Sequence, residues 1–233
     1  MLTAGNAAKL YCLHLLDEAA GARASGEYRI LDLGCGDGGD FVELLRRREN
    51  VRYVGVEPSR RAAAAAARAL PSASIVNAPA YDIRGEAADA VVSFSVLEHV
   101  VDRTRYFDAV VANLARGGRV FLNYDSGHFY NDANVAERGR AVVGTVLARF
   151  GKESHYRAVV ADSELDALLA CSGLRIVDDK GFNTELKIAW RHVPAEQRDA
   201  FMNSWLAFEL DLNAAGVGYR PHLYRTRNVI LER

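Results

Sequence analysis

The stretch Arg29-Ile-Leu-Asp-Leu-Gly-Cys-Gly-Asp-Gly-Gly39 decides the fold that we expect for this chain. An apolar run, interrupted by the single acid Asp32, leads into glycines at positions 34, 36, 38 and 39, and a helical pattern of apolar residues follows. Glycines allow a tight turn and a close approach of the backbone to a ligand, and a helix N-terminus offers free N–H groups. A buried strand, a glycine turn and a helix in this order predict a site for a nucleotide-like ligand.

This stretch satisfies two ligand-binding templates. Gly34, Gly36 and Gly39 fit G-x-G-x-x-G, the pattern of dinucleotide-binding turns. Asp32 and the glycines at 34, 36 and 38 fit D-x-G-x-G-x-G. Glu57 ends the next apolar run, where a carboxylate can accept hydrogen bonds from the ribose hydroxyls of either kind of ligand. These residues therefore indicate an adenosine-type site without identifying the ligand.

Composition limits the classes of protein to which the chain can belong. It has 233 residues, of which 50% are hydrophobic, and a formal net charge of −1. This length fits one α/β domain with an ample core, and the balanced charge argues against a nucleic-acid partner. The three scattered cysteines form neither a disulfide framework nor a zinc spacing, which is typical of the reducing cytoplasm. Because no run of about 18 apolar residues occurs, we expect no membrane-spanning segment.

Apolar runs of strand length alternate with helical patterns along the chain. The sequence predicts strands over 28–33, 51–56, 74–76, 89–94, 119–124, 174–177 and 224–231. It predicts helices over 6–20, 39–48, 60–70, 101–115, 135–150 and 195–215, and a further helix with Ser163 as its N-cap that ends near Gly173. Strands that alternate with helices predict a mostly parallel sheet covered on both faces.

Two further features favour S-adenosylmethionine (SAM) over a dinucleotide. Asp32 lies inside the first predicted strand, where a buried carboxylate is costly unless it is paired. The ammonium group of SAM could pair with it, whereas a dinucleotide brings anionic phosphates; alternatively, Asp32 caps N–H groups of the turn. The segment Ser93-Phe-Ser-Val-Leu-Glu-His-Val100 resembles a segment of the ubiquinone and menaquinone methyltransferases. Residues 28–125 resemble, in the order of these motifs, the class I SAM-dependent methyltransferases that act on small molecules.

The resemblance implies a Rossmann-like seven-stranded sheet with an antiparallel seventh strand and SAM above the carboxyl ends of the strands. It implies that the Gly34-Cys35-Gly36 turn holds the methionine end. We interpret Cys35 itself as a small filler beside the cofactor rather than a nucleophile. The other implied cofactor contacts are Glu57 on the ribose, Asn77 and Ala78 near the adenine (with Asp82 as the rival of Asn77), and the backbone of Ser95.

Glu98 and His99 raise the question of a metal. Residues 95–99 resemble the Glu-x-x-Glu-His segment that forms a metal site in some quinone O-methyltransferases, but here Ser95 replaces the first acid. Two ligands are too few for a metal site, so we predict none. The pair either ties the loop after the fourth strand to its helix or takes part in catalysis, which makes His99 a candidate catalytic residue.

The acceptor site is expected in two insertions. We predict a single domain over 1–233, with an N-terminal helical cap (1–27), a SAM-binding core (28–125) and two substrate-covering insertions (126–160 and 183–222). Aromatic residues cluster in both insertions, and a base is needed only if the acceptor must lose a proton. The predicted base is His128, and the predicted walls of the substrate pocket are Tyr124, Tyr130 and Trp205, although the spacing of Trp205 also fits a helix core.

These features predict an enzyme that transfers a methyl group from SAM to an oxygen or nitrogen atom of a small-molecule metabolite or natural product. The alternatives are an NAD(P)-dependent oxidoreductase, a SAM-binding protein that does not methylate, and a SAM-binding enzyme of another reaction class. No pattern in the sequence indicates an oligomeric state.

Overall fold

The computed structural model describes residues 2, 6–125, 143–144, 156–184, 192–220 and 222–233. Within these ranges seven strands form one sheet, in the order β3-β2-β1-β4-β5-β7-β6. The strands are β1 Tyr28–Leu33, β2 Val51–Val56, β3 Ser74–Val76, β4 Ala88–Phe94, β5 Leu114–Asp125, β6 Arg175–Phe182 and β7 Thr226–Glu232. The helices are α1 Ala7–Ala22, α2 Val42–Arg47, α3 Arg60–Ala69, α4 Arg103–Asn113, α5 Asp162–Ser172 and α6 Arg198–Ala214.

The first five strands pair in parallel, and β7 runs antiparallel to both β5 and β6. This topology confirms the predicted Rossmann-like sheet with its antiparallel seventh strand. In such a sheet, ligands bind beyond the carboxyl ends of the parallel strands. The ends of β1 to β5, the end of β6 and the start of β7 all lie at that edge.

Strand β1 is buried on both faces because helices cover both sides of the sheet. Ile30 packs into one core with residues of α1, α2 and α6, whereas Leu31 and Leu33 pack into the other with residues of α4 and α5. Asp32 alternates with these leucines and therefore faces the same side as Ile30. The one acid of the strand thus lies in the layer that α1 covers.

Several boundaries follow from capping residues that the sequence supplies. The side chains of Asn6, Ser59 and Asp102 accept a hydrogen bond from the backbone of the first turn of α1, α3 and α4. Such caps contribute about 1 kcal/mol each. Gly173 ends α5 in the left-handed conformation, at φ +68°, as the sequence predicts.

Three expectations about local structure need correction. Ser163 is not the N-cap of α5, because the helix begins at Asp162 and Ala161 is its N-cap: the carbonyl of Ala161 accepts hydrogen bonds from the N–H groups of Glu164 and Leu165, both at 3.0 Å. The predicted helix over 39–48 divides into a 3₁₀ turn at Gly39–Phe41 and α2. Strand β5 begins earlier than predicted because Leu114 already pairs with Ala88. The helix predicted over 135–150 lies almost entirely outside the described residues.

A chain of polar side chains runs from the half-buried Ser95, just after β4, through the core to α1. The Ser95 hydroxyl donates to Asn123 Oδ1 (3.4 Å), and Asn123 Nδ2 donates to Asn228 Oδ1 (2.6 Å). Asn228 Nδ2 in turn donates to the Ala8 carbonyl (2.8 Å). These bonds satisfy polar groups that would be costly to bury unpaired, and they connect the loop after β4 with the first turn of α1.

Across the ranges described above, no helix combines the length and the apolar character needed to cross a bilayer.

Candidate functional site

The glycine turn after β1 is tightly packed at one end and open at the other. The N–H groups of Gly34 and Cys35 donate to the Val56 carbonyl at 2.8 and 3.1 Å, which holds the turn against the end of β2. A Cβ atom on Gly34 would lie 2.4 Å from Val96 Cγ2, and the residue has φ +91°. At Gly36, with φ +58°, a Cβ atom would meet nothing within 4 Å. The turn therefore leaves open space above Gly36, where a ligand can approach the backbone.

Glu57 joins the glycine turn to the N-terminus of α3. Its Oε2 accepts the N–H of Gly36 at 3.1 Å, and its Oε1 accepts the N–H of Ser59 at 2.8 Å. A carboxylate offers about four acceptor positions, so both oxygens keep capacity for further donors. Two hydroxyl groups of a ribose are donors of that kind.

The end of β3 lies beside Glu57. Asn77 Nδ2 donates to the carbonyls of Glu57 and Pro58 at 2.8 and 3.1 Å. This bonding directs the nitrogen of the amide to the backbone and leaves Oδ1 as the atom that can accept from an adenine amino group. Ala78 follows, with its N–H on the Val76 carbonyl (3.1 Å). The rival Asp82 instead pairs with Arg105 of α4 at 3.4 Å.

Asp32 is buried with one oxygen unsatisfied. Oδ2 accepts the Tyr53 hydroxyl at 2.7 Å, and Oδ1 has no hydrogen-bond partner among the residues that the structure describes. Burial raises the pKa of Asp32 to about 7, against the opposing effect of the Tyr53 hydrogen bond. Among the described residues, Asp32 accepts its hydrogen bond from the Tyr53 hydroxyl, and the alternative role of capping N–H groups of the turn is not seen. The orphaned oxygen therefore fits a donor that a ligand brings, such as an ammonium group.

Cys35 fits the role of a filler beside this site. Burial raises the pKa of its thiol to about 12, which is the opposite of what a nucleophilic thiolate requires. Its sulfur also occupies the space next to β2, since a Cβ atom on Gly55 would lie 2.8 Å from Cys35 Sγ.

Ser95 holds an unusual backbone conformation at the end of β4. Its φ is +57°, in the left-handed region, which costs a non-glycine residue on the order of 1–3 kcal/mol and is concentrated at functional sites. The hydrogen bond from Ser95 N–H to the Asn123 carbonyl (2.8 Å) holds it there. Ser95 borders both the glycine turn, through its neighbour Val96, and the cleft described next.

A polar cleft of about 240 Å³ opens at the carboxyl edge of the sheet. We call it the edge cleft. Its walls include Ser95, Glu98, His99, Asp125, Asn183 and Trp205. Two arginines, Arg157 and Arg225, also line it, together with Asn6 and Thr226. Three carboxyl-end loops and the cap of α1 thus converge on one small, charged cavity.

Glu98 is the buried acid of the edge cleft. Its side chain is 3% exposed. Oε1 accepts the N–H of Asp125 at a long 3.4 Å, and Oε2 has no hydrogen-bond partner in the part of the chain that the structure describes. Burial raises the pKa of Glu98 to about 7. This carboxyl group can therefore exchange a proton near neutral pH.

His99 lies beside it with one nitrogen engaged. Its Nδ1 is 2.8 Å from the Tyr156 carbonyl, so Nδ1 carries the hydrogen and Nε2 is an acceptor. Burial lowers the pKa of His99 below its usual value, against the effect of the Tyr156 carbonyl. The imidazole is therefore neutral at pH 7.

Arg103 fixes the Leu97–His99 turn, a role that the sequence analysis did not foresee. This buried side chain donates to the carbonyls of Leu97 (3.2 Å) and Ala158 (2.8 Å), and it pairs with Glu164. The Ala158 N–H also donates to the Glu98 carbonyl at 2.8 Å. The backbone of the Leu97–His99 turn is thus tied to α4 and to the segment before α5. The side chains of Glu98 and His99 line the cleft instead.

The residues predicted to form the substrate pocket do not all lie at the same place in the structure. Trp205 lines the edge cleft and donates its indole N–H to Glu209 at 2.9 Å. Tyr124 does not line it, contrary to our expectation: alternation along β5 turns Tyr124 to the opposite face, where it is 1% exposed and accepts a hydrogen bond from Arg227. His128 and Tyr130 lie outside the described residues.

Asn183 is a further cleft residue that the sequence analysis missed. It follows β6 at φ +62°, and its N–H donates to Glu209 at 2.9 Å. Its Nδ2 donates to Thr226 at 2.9 Å, while its buried Oδ1 has no hydrogen-bond partner within the described ranges. No sequence motif marks this position. In contrast, Asn6 could have been found, since an asparagine before a helical pattern is a typical N-cap.

Histidine, cysteine, aspartate and glutamate side chains in the described ranges form no group of three or more that could hold a metal ion. The sequence-based expectation that no metal takes part stays a prediction.

Comparison with known proteins identifies the family. Residues 5–178, which are most of the chain, match the model of a methyltransferase domain family. Ubiquinone biosynthesis O-methyltransferases are similar: that of Rhizobium johnstonii is 28% identical over 228 residues, which cover 90% of this chain and 80% of the relative. That of Rhizobium etli (strain CIAT 652) is 28% identical over 211 residues, which cover 83% and 73%.

Among solved structures, the fold is shared with geranyl diphosphate C-methyltransferase from Streptomyces coelicolor A3(2), in a complex that contains S-adenosyl-L-homocysteine. The TM-score is 0.61 at 16% identity, and the match covers 96% of this chain and 75% of that one. The family match decides between the two ligands that the glycine turn left open and excludes the oxidoreductase interpretation. The chain belongs to the methyltransferase domain family and is a class I SAM-dependent methyltransferase.

Proposed function

We propose that this enzyme transfers a methyl group from SAM to an oxygen or nitrogen atom of a small molecule that binds in the edge cleft. The observation that carries the proposal is the contact between Gly34 and Val96. Gly34 belongs to the turn proposed to hold SAM, and Val96 follows Ser95, which lines the cleft. The contact therefore supports two neighbouring sites, one for each reactant, as direct transfer between them requires.

The residues at the first three strand ends fit a SAM molecule. We assign the ammonium group to Asp32, whose Oδ1 is buried without a donor, and the ribose hydroxyls to Glu57. Asn77 receives the adenine amino group through its Oδ1, and the open space above Gly36 admits the ligand to the backbone. When bound, SAM supplies a methyl group on a positively charged sulfur.

The edge cleft supports a polar acceptor. Its walls carry acids, arginines and amides, with Trp205 as a large aromatic surface. Aromatic rings attract cations, so Trp205 suits an acceptor or a sulfonium of positive charge. The names of the similar proteins from Rhizobium favour oxygen as the methylated atom.

We also propose that the enzyme works in the cytoplasm, without a nucleic-acid partner. Its cysteines Cys12, Cys35 and Cys171 are free thiols, and its formal net charge of −1 gives no excess of positive charge for a phosphate backbone.

The test combines binding and turnover. SAM and S-adenosylhomocysteine should raise the Tm of the protein, by mass action on the folded state, whereas NAD and NADP should leave it unchanged. A panel of phenols, amines and carboxylates is then incubated with SAM, and S-adenosylhomocysteine is measured. Stabilisation by SAM without turnover of any acceptor would indicate a binding protein that does not methylate. Absence of stabilisation by SAM would contradict the cofactor assignment.

A further inference from the structure

The edge cleft contains a carboxyl group whose hydrogen bonding is incomplete. Glu98 is almost fully buried, its Oε1 has only the long contact to Asp125 N–H, and its Oε2 has no partner within the described ranges. A buried oxygen without a donor is unfavourable, and such orphaned atoms in a native structure call for a specific explanation. A ligand that brings an O–H or N–H group to the cleft would supply the missing donor.

A second wall of the cleft shows the same deficiency. Asn183 Oδ1 is buried without a partner in the described residues, although the rest of this side chain and its backbone are held by Thr226 and Glu209. Both unsatisfied atoms are acceptors, and both belong to residues that line one cavity. The cavity is therefore complementary to a molecule that carries hydrogen-bond donors.

The charges that face Glu98 come from three elements and oppose each other. Asp125, at the end of β5, raises the pKa of Glu98, whereas Arg157, in the segment before α5, lowers it. His99 and Arg225 line the same cavity. Because burial outweighs these contributions, Glu98 titrates near pH 7, and a catalytic base works best when its pKa lies near the operating pH.

His99 is the competing base in the cavity, and its environment makes it weaker. Its Nδ1 is bound to the Tyr156 carbonyl, and burial lowers its pKa below the usual value of a histidine. A lower pKa means a weaker proton acceptor. Glu98 has the opposite shift, so of the two neighbours it is the one whose proton affinity is increased.

We propose that Glu98 is the catalytic base and that the acceptor is a hydroxyl or protonated amine with a proton to lose. The inference rests on the proposed function and adds the substrate class to it. The acceptor atom forms its bond to the methyl carbon while the carbon–sulfur bond breaks, and the electron pair of that bond stays on sulfur. A hydroxyl gives its proton to the Glu98 carboxylate as the bond to carbon forms, whereas a protonated amine gives it up first, because its nitrogen has no free electron pair until that proton leaves. In both cases Glu98 becomes neutral and the sulfur loses its positive charge.

The first test is turnover of three probes of similar size: phenol, benzylamine and benzoate. Phenol and benzylamine should be methylated and benzoate should not, because a carboxylate brings no hydrogen-bond donor to the unsatisfied oxygens of Glu98 and Asn183 and is repelled by the Glu98 carboxylate. In wild type, kcat should rise with pH and level off above about pH 7. Faster methylation of benzoate than of phenol and benzylamine would overturn the assigned class.

The decisive variant is Glu98→Gln, which keeps the size of the side chain and removes the base. It should lower kcat by about 10²- to 10⁴-fold, abolish the rise with pH and leave the Kd of SAM unchanged. Glu98→Asp should retain more activity than Glu98→Gln, together with the pH dependence. Glu86→Gln, the same change at a residue just before β4, at the opposite edge of the sheet, is the matched control. It should leave kcat, its rise with pH and the Kd of SAM unchanged.

A second readout does not need turnover. Because the pKa of Glu98 is raised, its ionisation destabilises the folded state, so wild type should lose stability as pH rises from about 4 to about 7. Glu98→Gln should reduce that loss, and Glu86→Gln should not. An unchanged pH dependence of Tm in Glu98→Gln, or a kcat within twofold of wild type, would overturn the proposal. Failure of the wild-type protein to bind SAM would instead contradict the proposed function.

Discussion

Gly36 donates its backbone N–H to Glu57 Oε2 at 3.1 Å, so the turn after β1 is bonded directly to the acid that follows β2. Replacement of Glu57 by Ala should weaken SAM binding by about 1–3 kcal/mol, because charge-assisted hydrogen bonds to the ribose are lost. Titration calorimetry with SAM measures the change. Glu49→Ala, at an exposed site just beyond α2, is the control. An unchanged Kd in Glu57→Ala would exclude the ribose assignment.

Two glycines of the turn should respond differently to the same substitution. In Gly34→Ala the new methyl group would collide with Val96, so we expect a large fall in Tm and loss of SAM binding. In Gly36→Ala the methyl group meets no protein atom, and the backbone strain costs about 1–2 kcal/mol. Gly36→Ala should therefore fold and still bind SAM poorly, since the methyl group occupies the ligand's space. Thermal denaturation of both variants measures the loss of packing, and calorimetry measures the affinity for SAM. Tight SAM binding by Gly36→Ala would show that SAM does not occupy the space above Gly36.

Asp32 should make stability depend on pH in the direction opposite to that of a salt-bridged acid. Its pKa is raised to about 7 in the folded state, against about 3.9 in an unfolded chain. The contribution of Asp32 to stability is therefore greatest below about pH 4 and is lost as pH rises toward 7. Asp32→Asn should raise Tm at pH 8 relative to wild type and should also weaken SAM binding, because the carboxylate that pairs with the ammonium is gone. A variant that gains stability and keeps its SAM affinity would show that Asp32 does not contact the cofactor.

Tyr124 and Trp205 should differ in their effect on catalysis. Tyr124→Phe removes the hydroxyl that Arg227 contacts, which should cost about 1 kcal/mol of stability and leave acceptor KM unchanged. Trp205→Phe removes the indole bond to Glu209 and reshapes a wall of the edge cleft, so KM for the acceptor should rise. Steady-state kinetics on both variants provide the comparison. An effect of Tyr124→Phe on KM equal to that of Trp205→Phe would contradict the assignment of the edge cleft.

Arg103 should act on catalysis only through the position of Glu98. Arg103→Lys cannot reproduce the contacts to the carbonyls of Leu97 and Ala158 and to Glu164 with its single ammonium group. We expect a lower kcat, a lower Tm and an unchanged Kd of SAM. Arg116→Lys, outside this network, is the control. A kcat equal to that of wild type would show that the Leu97–His99 turn keeps its geometry without the guanidinium.

The part of the fold predicted best is the part where local sequence signals agree with each other. The bounds of β1, β2 and β3 were predicted correctly, because each apolar run ends at a glycine, an acid or an asparagine. The proposed cofactor residues follow directly from these ends, since a strand's last residue must lie at the carboxyl edge. Asp32, Glu57 and Asn77 were therefore accessible to sequence reasoning.

The edge cleft was less accessible because its walls are distant in sequence. Arg157, Asn183 and Arg225 come from three separate segments, and only the pairing of β6 with β7 brings the last two to one edge. Tyr124 illustrates a different difficulty. Its aromatic character suggested a pocket wall, but the alternation of β5 places Asp125 at the cleft and turns Tyr124 away.

The polar chain from Ser95 through Asn123 and Asn228 to the Ala8 carbonyl has a consequence for how reactants enter. If helix α1 moved away as a lid, the hydrogen bond from Asn228 Nδ2 to the Ala8 carbonyl would break inside the core. The first turn of α1 is therefore a fixed wall of the edge cleft, and reactants are expected to enter from a side where no buried hydrogen bond has to break.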